Sequence, residues 1–208
     1  TLITESTYGA PANIMPNRTD VEWRLVSIIN ETVKNGGKVL IPVLAVGRAQ
    51  EIMLILDNYM RQGVLAELPV YNEGMISEVT AIHTAYPEYL SNELRDKILY
   101  HDINPFQSEY FVTVKNPNER PAIIGGGPCV ILATSGMLEG GPVLSYFREL
   151  ALDERNTLIF VSYQIDGTLG CRVQHGVGEV TLMNAEGRIE VIKVKMRTAS
   201  IEGLSGHS

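Results

Sequence analysis

Cysteine is scarce: the 208 residues contain two, Cys129 and Cys171. One enters an apolar run and the other stands among glycines. That spacing offers neither a disulfide framework nor a thiolate metal site, so both thiols are expected to be unpaired and structural. Positive charge is also in deficit, with 17 Lys and Arg against 24 Asp and Glu and a formal net charge of −7. Such a chain does not grip nucleic acid through a general basic surface, and any contact with a polyanion has to be local. No apolar run approaches the roughly 18 residues of a membrane span, and the first residues carry no basic, signal-like segment. The expectation is a soluble, cytoplasmic protein without a membrane partner. The Gly-x-Gly-x-x-Gly fingerprint and the Gly-Lys-Ser/Thr phosphate loop are missing. No Ser-His-Asp, Cys-His or paired-carboxylate constellation stands out either. Of the four histidines, His83 and His101 have no partner motif and are expected to pack or face solvent.

What is present suffices for one sizeable core, since 45% of the residues are hydrophobic. Residues 18–35 place Val21, Leu25, Ile28, Ile29 and Val33 near one helical face, and Gly36-Gly37 follows where a helix ends. Residues 38–43 form a continuous apolar run of strand length with β-branched Val39 and Ile41, suited to a parallel strand covered on both faces, and Pro42 marks its end. Gly47 opens a second amphipathic helix, and its stripe of Met53, Tyr59 and Met60 reads as core packing. A short strand at 69–71, helices at 77–85 and 92–99, a strand at 128–133, a helix at 141–150 begun by Pro142 and a strand at 157–161 continue the alternation. Gly125-Gly126-Gly127-Pro128 reads as a flexible lead-in to a strand. Residues 179–182 and 188–196 alternate in polarity around Asn184-Ala185-Glu186-Gly187, which predicts a β-hairpin. The fold class is therefore α/β: a layered, mainly parallel sheet with helices on both faces and a C-terminal hairpin.

In open α/β sheets, ligands bind beyond the carboxyl ends of the strands, where helix N-termini present free N–H groups. Two candidate loops fall at strand-to-helix turns. Ala45-Val46-Gly47-Arg48 sets a guanidinium beside a helix start. Ser135-Gly136-Met137-Leu138-Glu139-Gly140-Gly141 lets backbone approach an anion closely, because glycine has no Cβ in the way. A third segment, Gly167-Thr168-Leu169-Gly170, precedes Arg172 and His175, which read equally well as a small cationic patch or a solvated loop.

Five segments in order carry a family resemblance: Glu5-Ser6-Thr7-Tyr8-Gly9; Gly37 to Val43 running into Val46-Gly47-Arg48-Ala49-Gln50-Glu51; Ala133 to Pro142; Gly167 to Gly170; and Gly203-Leu204-Ser205-Gly206-His207. Together they resemble the β-CASP nucleases, a branch of the metallo-β-lactamase superfamily. The resemblance is strongest to archaeal relatives of the cleavage and polyadenylation specificity factor nuclease, particularly around Ala10-Pro11 to Arg18. It implies that residues 1–9 flank a metallo-β-lactamase lobe and carry motif A, that 10–205 form a cap inserted over the active-site cleft, and that 206–208 return to that lobe with motif B. Glu5 matches the motif A acid and His207 the motif B histidine. In the family's chemistry a zinc-bound hydroxide attacks the scissile phosphate while the histidine, oriented by the acid, protonates the leaving oxygen. The family's His-x-His-x-Asp-His zinc signature is absent from these residues, so both zinc ions are expected to be bound by the other lobe and not by this chain.

The implied function is that of the cap of a zinc-dependent RNA-processing nuclease, of the mRNA 3′-end processing or RNA decay type, endonucleolytic and open to exonuclease action, with this fragment inactive alone. Its partners are then single-stranded RNA and the metallo-β-lactamase lobe of the same protein. Arg48, Ser135, Gly136, Met137, Gly140, Gly167, Thr168 and Arg172 are the candidate RNA-phosphate contacts, although Cys171 stands where relatives are expected to carry a basic residue. A non-catalytic scaffold subunit and a DNA-processing nuclease of the same family are the alternatives. Two geometric expectations follow: the three loops converge on one edge of the sheet, and both flanks of the chain emerge on that same side.

Overall fold

The computed structural model describes residues 1–4, 6, 9–10, 14–184 and 187–204. Chain order is α1 (Arg18–Lys34), β1 (Val39–Pro42), α2 (Arg48–Arg61), β2 (Val70–Glu73), α3 (Ile76–Ala85), α4 (Asn92–Tyr100), β3 (Phe111–Thr113), α5 (Arg120–Gly125), β4 (Val130–Ala133), α6 (Pro142–Leu150), β5 (Thr157–Phe160), α7 (Leu169–Gln174), β6 (Glu179–Met183), β7 (Ile189–Lys193) and β8 (Arg197–Ser200). Six strands pair in the order β3-β2-β4-β1-β5-β8, and every pairing is parallel. β6 and β7 form a separate antiparallel hairpin with Val180 opposite Ile192. The α/β class, the parallel sheet and the hairpin thus agree with the reading of the sequence.

Period-two alternation divides the core between the faces of the sheet. Val39, Ile41, Val130, Leu132 and Ile159 point to one face and pack with Leu25 and Ile29 of α1 and Ile52 and Leu56 of α2. Leu40, Ile131, Leu158 and Phe160 point to the other and meet Tyr146 and Phe147 of α6, Val173 of α7 and Val180 and Ile192 of the hairpin. Every residue of β1, β4 and β5 is buried, which is why these strands read as unbroken apolar runs.

Polar groups tie the layers where the core leaves off. Glu73, at the end of β2, accepts from Arg120 Nε at 2.9 Å and from the Tyr146 hydroxyl at 2.6 Å, joining α5 and α6 to the sheet. Burial, reinforced by that carboxylate, pushes the Tyr146 phenol well above its ordinary range. At the amino-terminal edge Asn156 is buried; its Oδ1 accepts from Lys38 N at 2.8 Å and its Nδ2 donates to Leu150 O at 3.0 Å. Gly37 approaches so closely that a Cβ would lie 1.9 Å from Arg155 O.

Four local expectations differ from what forms. The strand expected over 188–196 ends at Lys193, because Lys195 N and Met196 N turn to Ala151 O at 2.7 and 3.1 Å and deliver β8 to the edge of the main sheet. β3, where no strand was expected, is three residues long with Val112 and Thr113 exposed, without the run that marks a covered strand. Gly125 closes α5 instead of lying in a flexible lead-in, with Gly126 N donating to Ile123 O. Cys171 stands within α7, not in a turn. Both cysteines are free and buried, and burial pushes the Cys129 thiol up to about 11.

Asn156→Ala strands two buried backbone groups at once and should lower unfolding stability by about 2 kcal/mol. Urea denaturation measures it, with an unchanged transition slope showing that the native state keeps its surface.

Candidate functional site

Because all six strands run parallel, the loops after β1, β4, β5 and β8 leave from one edge of the sheet. Glycines let three of them touch. Gly136 lies against the turn after β1, where a Cβ would sit 3.3 Å from Leu44 N. On its other side the 134–141 loop meets the loop after β5: Gln164 Nε2 donates to Gly136 O at 3.0 Å, Gly170 N to Met137 O at 3.0 Å and Leu169 N to Glu139 Oε1 at 2.5 Å. A Cβ on Gly170 would fall 1.9 Å from Gln164 Oε1. The loop closes on itself through Ser135 N to Gly140 O at 3.1 Å, and Gly141 takes φ +74° so that Val143 N reaches Thr134 O at 2.9 Å.

Residues 14–16 and 200–204 reach this edge as well. Gly203 packs on Pro16 and Val21, with a Cβ position 2.6 Å from Pro16 Cγ. Between these segments and the loops lies a cleft of about 650 Å³, lined among others by Arg48, Met137, Ser162, Tyr163, Cys171 and His175. Ser162 Oγ and Arg48 Nε are buried without a hydrogen-bond partner. Ser162, Tyr163 and the buried Gln164 were not legible as site residues. They stand in the strand exit just before the glycines that drew attention, with only that position as a signal.

Each candidate residue has a definite place. Arg48 lines the cleft as its only Lys or Arg among the described residues. Its guanidinium pairs with Glu51, which also takes Arg18. Gly47, at φ +79°, opens α2 and donates its N–H to Gln50 Oε1 at 2.8 Å. Ser135 Oγ accepts from Glu139 N at 3.2 Å, holding the loop. Gly140 and Gly167 have open space where a Cβ would be. Thr168 caps α7 by accepting from Cys171 N at 3.2 Å, so the first amides of that short helix are met by Thr168 and Glu139 within the chain. Arg172 is exposed on α7 and lies outside the cleft lining, whereas His175 lines it and bonds Cys171 O through Nδ1 at 2.8 Å. His83 bonds Val79 O at 2.9 Å and packs edge-on against Phe106, a packing role. Glu5 and His207 lie outside the described residues. Among the described residues, no three His, Cys, Asp or Glu side chains gather where a metal ion would be held, so this part of the chain does not fit zinc. No helix among them is long and apolar enough to cross a membrane.

Comparison with known proteins gives this geometry a family. The model of the Beta-Casp domain matches residues 49–173. Transcription termination factor FttA of Cenarchaeum symbiosum is 55% identical over the whole of this chain and 32% of its own length. The proteins of that name from Lokiarchaeum and Pyrococcus abyssi are 53% and 54% identical, again over all of this chain and 32% of theirs. The chain spans about a third of the length of the curated relatives it matches. With the match running from the first turn of α2 into α7 and taking in the loops after β4 and β5, the chain belongs to the Beta-Casp domain family.

Proposed function

We propose that this chain is the RNA-positioning cap of a cytoplasmic, zinc-dependent endoribonuclease. The observation that carries it is the meeting of three glycine-bearing loops with residues 14–16 and 200–204 at one cleft that holds buried, unpartnered polar atoms. The Arg48 guanidinium on the lining is the group there that suits a phosphodiester strand. The relatives' name, transcription termination factor, supports RNA, since termination takes place where a nascent transcript is at hand. Residues 1–9 and 206–208 then join the cap to a catalytic lobe, consistent with the relatives' greater length.

Within the cap, Arg48 is the phosphate clamp. Glu51 holds its guanidinium, and Arg18 and Glu22, paired at 2.7 Å, complete a chain of charges that fixes the side chain before substrate arrives. Glu5 accepts a hydrogen bond from one imidazole N–H of His207 and sets the tautomer, leaving the other nitrogen to protonate the departing oxygen. Zinc, when bound by residues outside this chain, supplies the hydrolytic chemistry; nothing in the described residues takes part in holding it.

In the full-length protein Arg48→Ala should weaken single-stranded RNA binding and reduce the slope of log affinity against log salt by roughly 0.7, the loss of one phosphate contact. An unchanged slope would reduce Arg48 to a brace for α2. His207→Ala should slow cleavage by about 10²–10⁴ while bound zinc stays constant; loss of zinc would make it a metal ligand instead. The 208 residues alone should show no zinc-dependent hydrolysis, and activity in a nuclease-free preparation would sink that assignment.

A further inference from the structure

A second cavity, of about 260 Å³, lies between α3, β2, β3 and the turn at Pro105–Gln107. Asn72, Ser77, Thr80, Thr84, Gln107 and Thr113 give it polar walls, and Met53, Phe106 and Phe111 give it apolar ones. No Lys, Arg, Asp or Glu lines it. Asn72 is 4% exposed, and its carboxamide oxygen has no hydrogen-bond partner. A buried acceptor left unpaired is costly, so native proteins rarely keep one that nothing ever fills.

The cavity is joined to the main cleft by short links. Gln50, which accepts from Gly47 N at the start of α2, donates through Nε2 to Thr80 Oγ1 at 2.9 Å. Gly74, in the turn between β2 and α3, is so close to the 134–141 loop that a Cβ would fall 2.1 Å from Thr134 Oγ1. From β2 to β5 is three steps in the sheet, roughly 14 Å at the usual strand spacing.

We propose that this cavity takes a single nucleobase, turned out of the RNA strand whose backbone runs through the main cleft. The walls are uncharged, so the ligand is neutral and its phosphate lies elsewhere. A carboxamide presents one acceptor and two donors in a plane, which matches the hydrogen-bonding edge of a base, and aromatic walls suit the faces of its ring. The volume falls just below the roughly 300–1,000 Å³ of drug-sized sites, enough for one planar ring system and too little for a longer ligand. The inference rests on the cap being an RNA-positioning surface. It adds a subsite that holds a base instead of a phosphate.

The test uses full-length protein with His207→Ala to prevent cleavage, and a set of single-stranded RNAs each lacking one base at a successive position. One abasic position should weaken binding by about tenfold. Two variants should erase the penalty at that position while lowering affinity for intact RNA by about the same factor: Asn72→Leu, which removes the carboxamide, and Ala81→Phe, which fills the cavity from the exposed side of α3 and leaves the buried hydrogen bonds alone. In a second arm the four free nucleosides are titrated against each protein. Nucleoside binding that both variants abolish, without a position-dependent effect in RNA, overturns the strand-borne base and leaves a site for a free nucleoside. Equal abasic penalties in all three proteins together with no nucleoside binding overturn the proposal and leave a water-filled hole. Failure of the parent protein to bind RNA at all would count against the cap reading, while the nucleoside arm would still decide the cavity.

Discussion

Backbone-to-backbone contact at the carboxyl edge of the sheet is the constraint on which the site depends. Gly136 rests on the turn after β1, and Gly170 rests on Gln164 and Met137. A Cβ at Gly170 would overlap the buried Gln164 amide and the Met137 carbonyl, and one at Gly136 would press on the turn after β1 at 3.3 Å. The three loops could then no longer share one cleft, and the position of Arg48 relative to Met137 would be lost. Parallel pairing puts the loops on the same edge, and the glycines bring them the last few ångströms together.

A chain of net charge −7 would meet a polyanion only where a cation is at hand, and in the cleft that cation is Arg48, with Asp166 and Glu202 on the same lining. The guanidinium is not free. Glu51 holds it, and Arg18 shares that carboxylate, so the cation is positioned at the expense of part of its field. At α7 the pattern is reversed: Thr168 and Glu139 already meet the leading N–H groups, and that short helix serves the packing of the loops more than the attraction of an anion.

Two cavities of different chemistry are present, one at this edge and one between α3, β2, β3 and the turn before β3. The larger is lined by one guanidinium, Arg48, two carboxylates, Asp166 and Glu202, and the unpaired Ser162 hydroxyl; the smaller holds amides, hydroxyls and rings without a formal charge. Gln50 and Gly74 connect them. A strand that lays its phosphates in one and a base in the other would be fixed in register as well as in direction, which is what an enzyme needs to choose a scissile bond.

The sequence by itself determined the elements whose burial is complete. β1, β4 and β5 are covered on both faces and therefore appear as apolar runs, and α1, α2 and α6 bury a continuous stripe. The glycine loops were legible because a residue without a Cβ stands out at a strand exit. β3 and β8 were not. β3 is half-exposed, and Arg197–Ser200 contains no apolar residue larger than alanine; each joins the sheet only because a covered neighbour offers an unpaired edge. Ser162, Gln164 and Asn72 were silent for a related reason. A polar residue in a strand or its exit reads as solvated until packing from distant segments removes the water, and only the tertiary structure decides which of its hydrogen bonds are then left unmade.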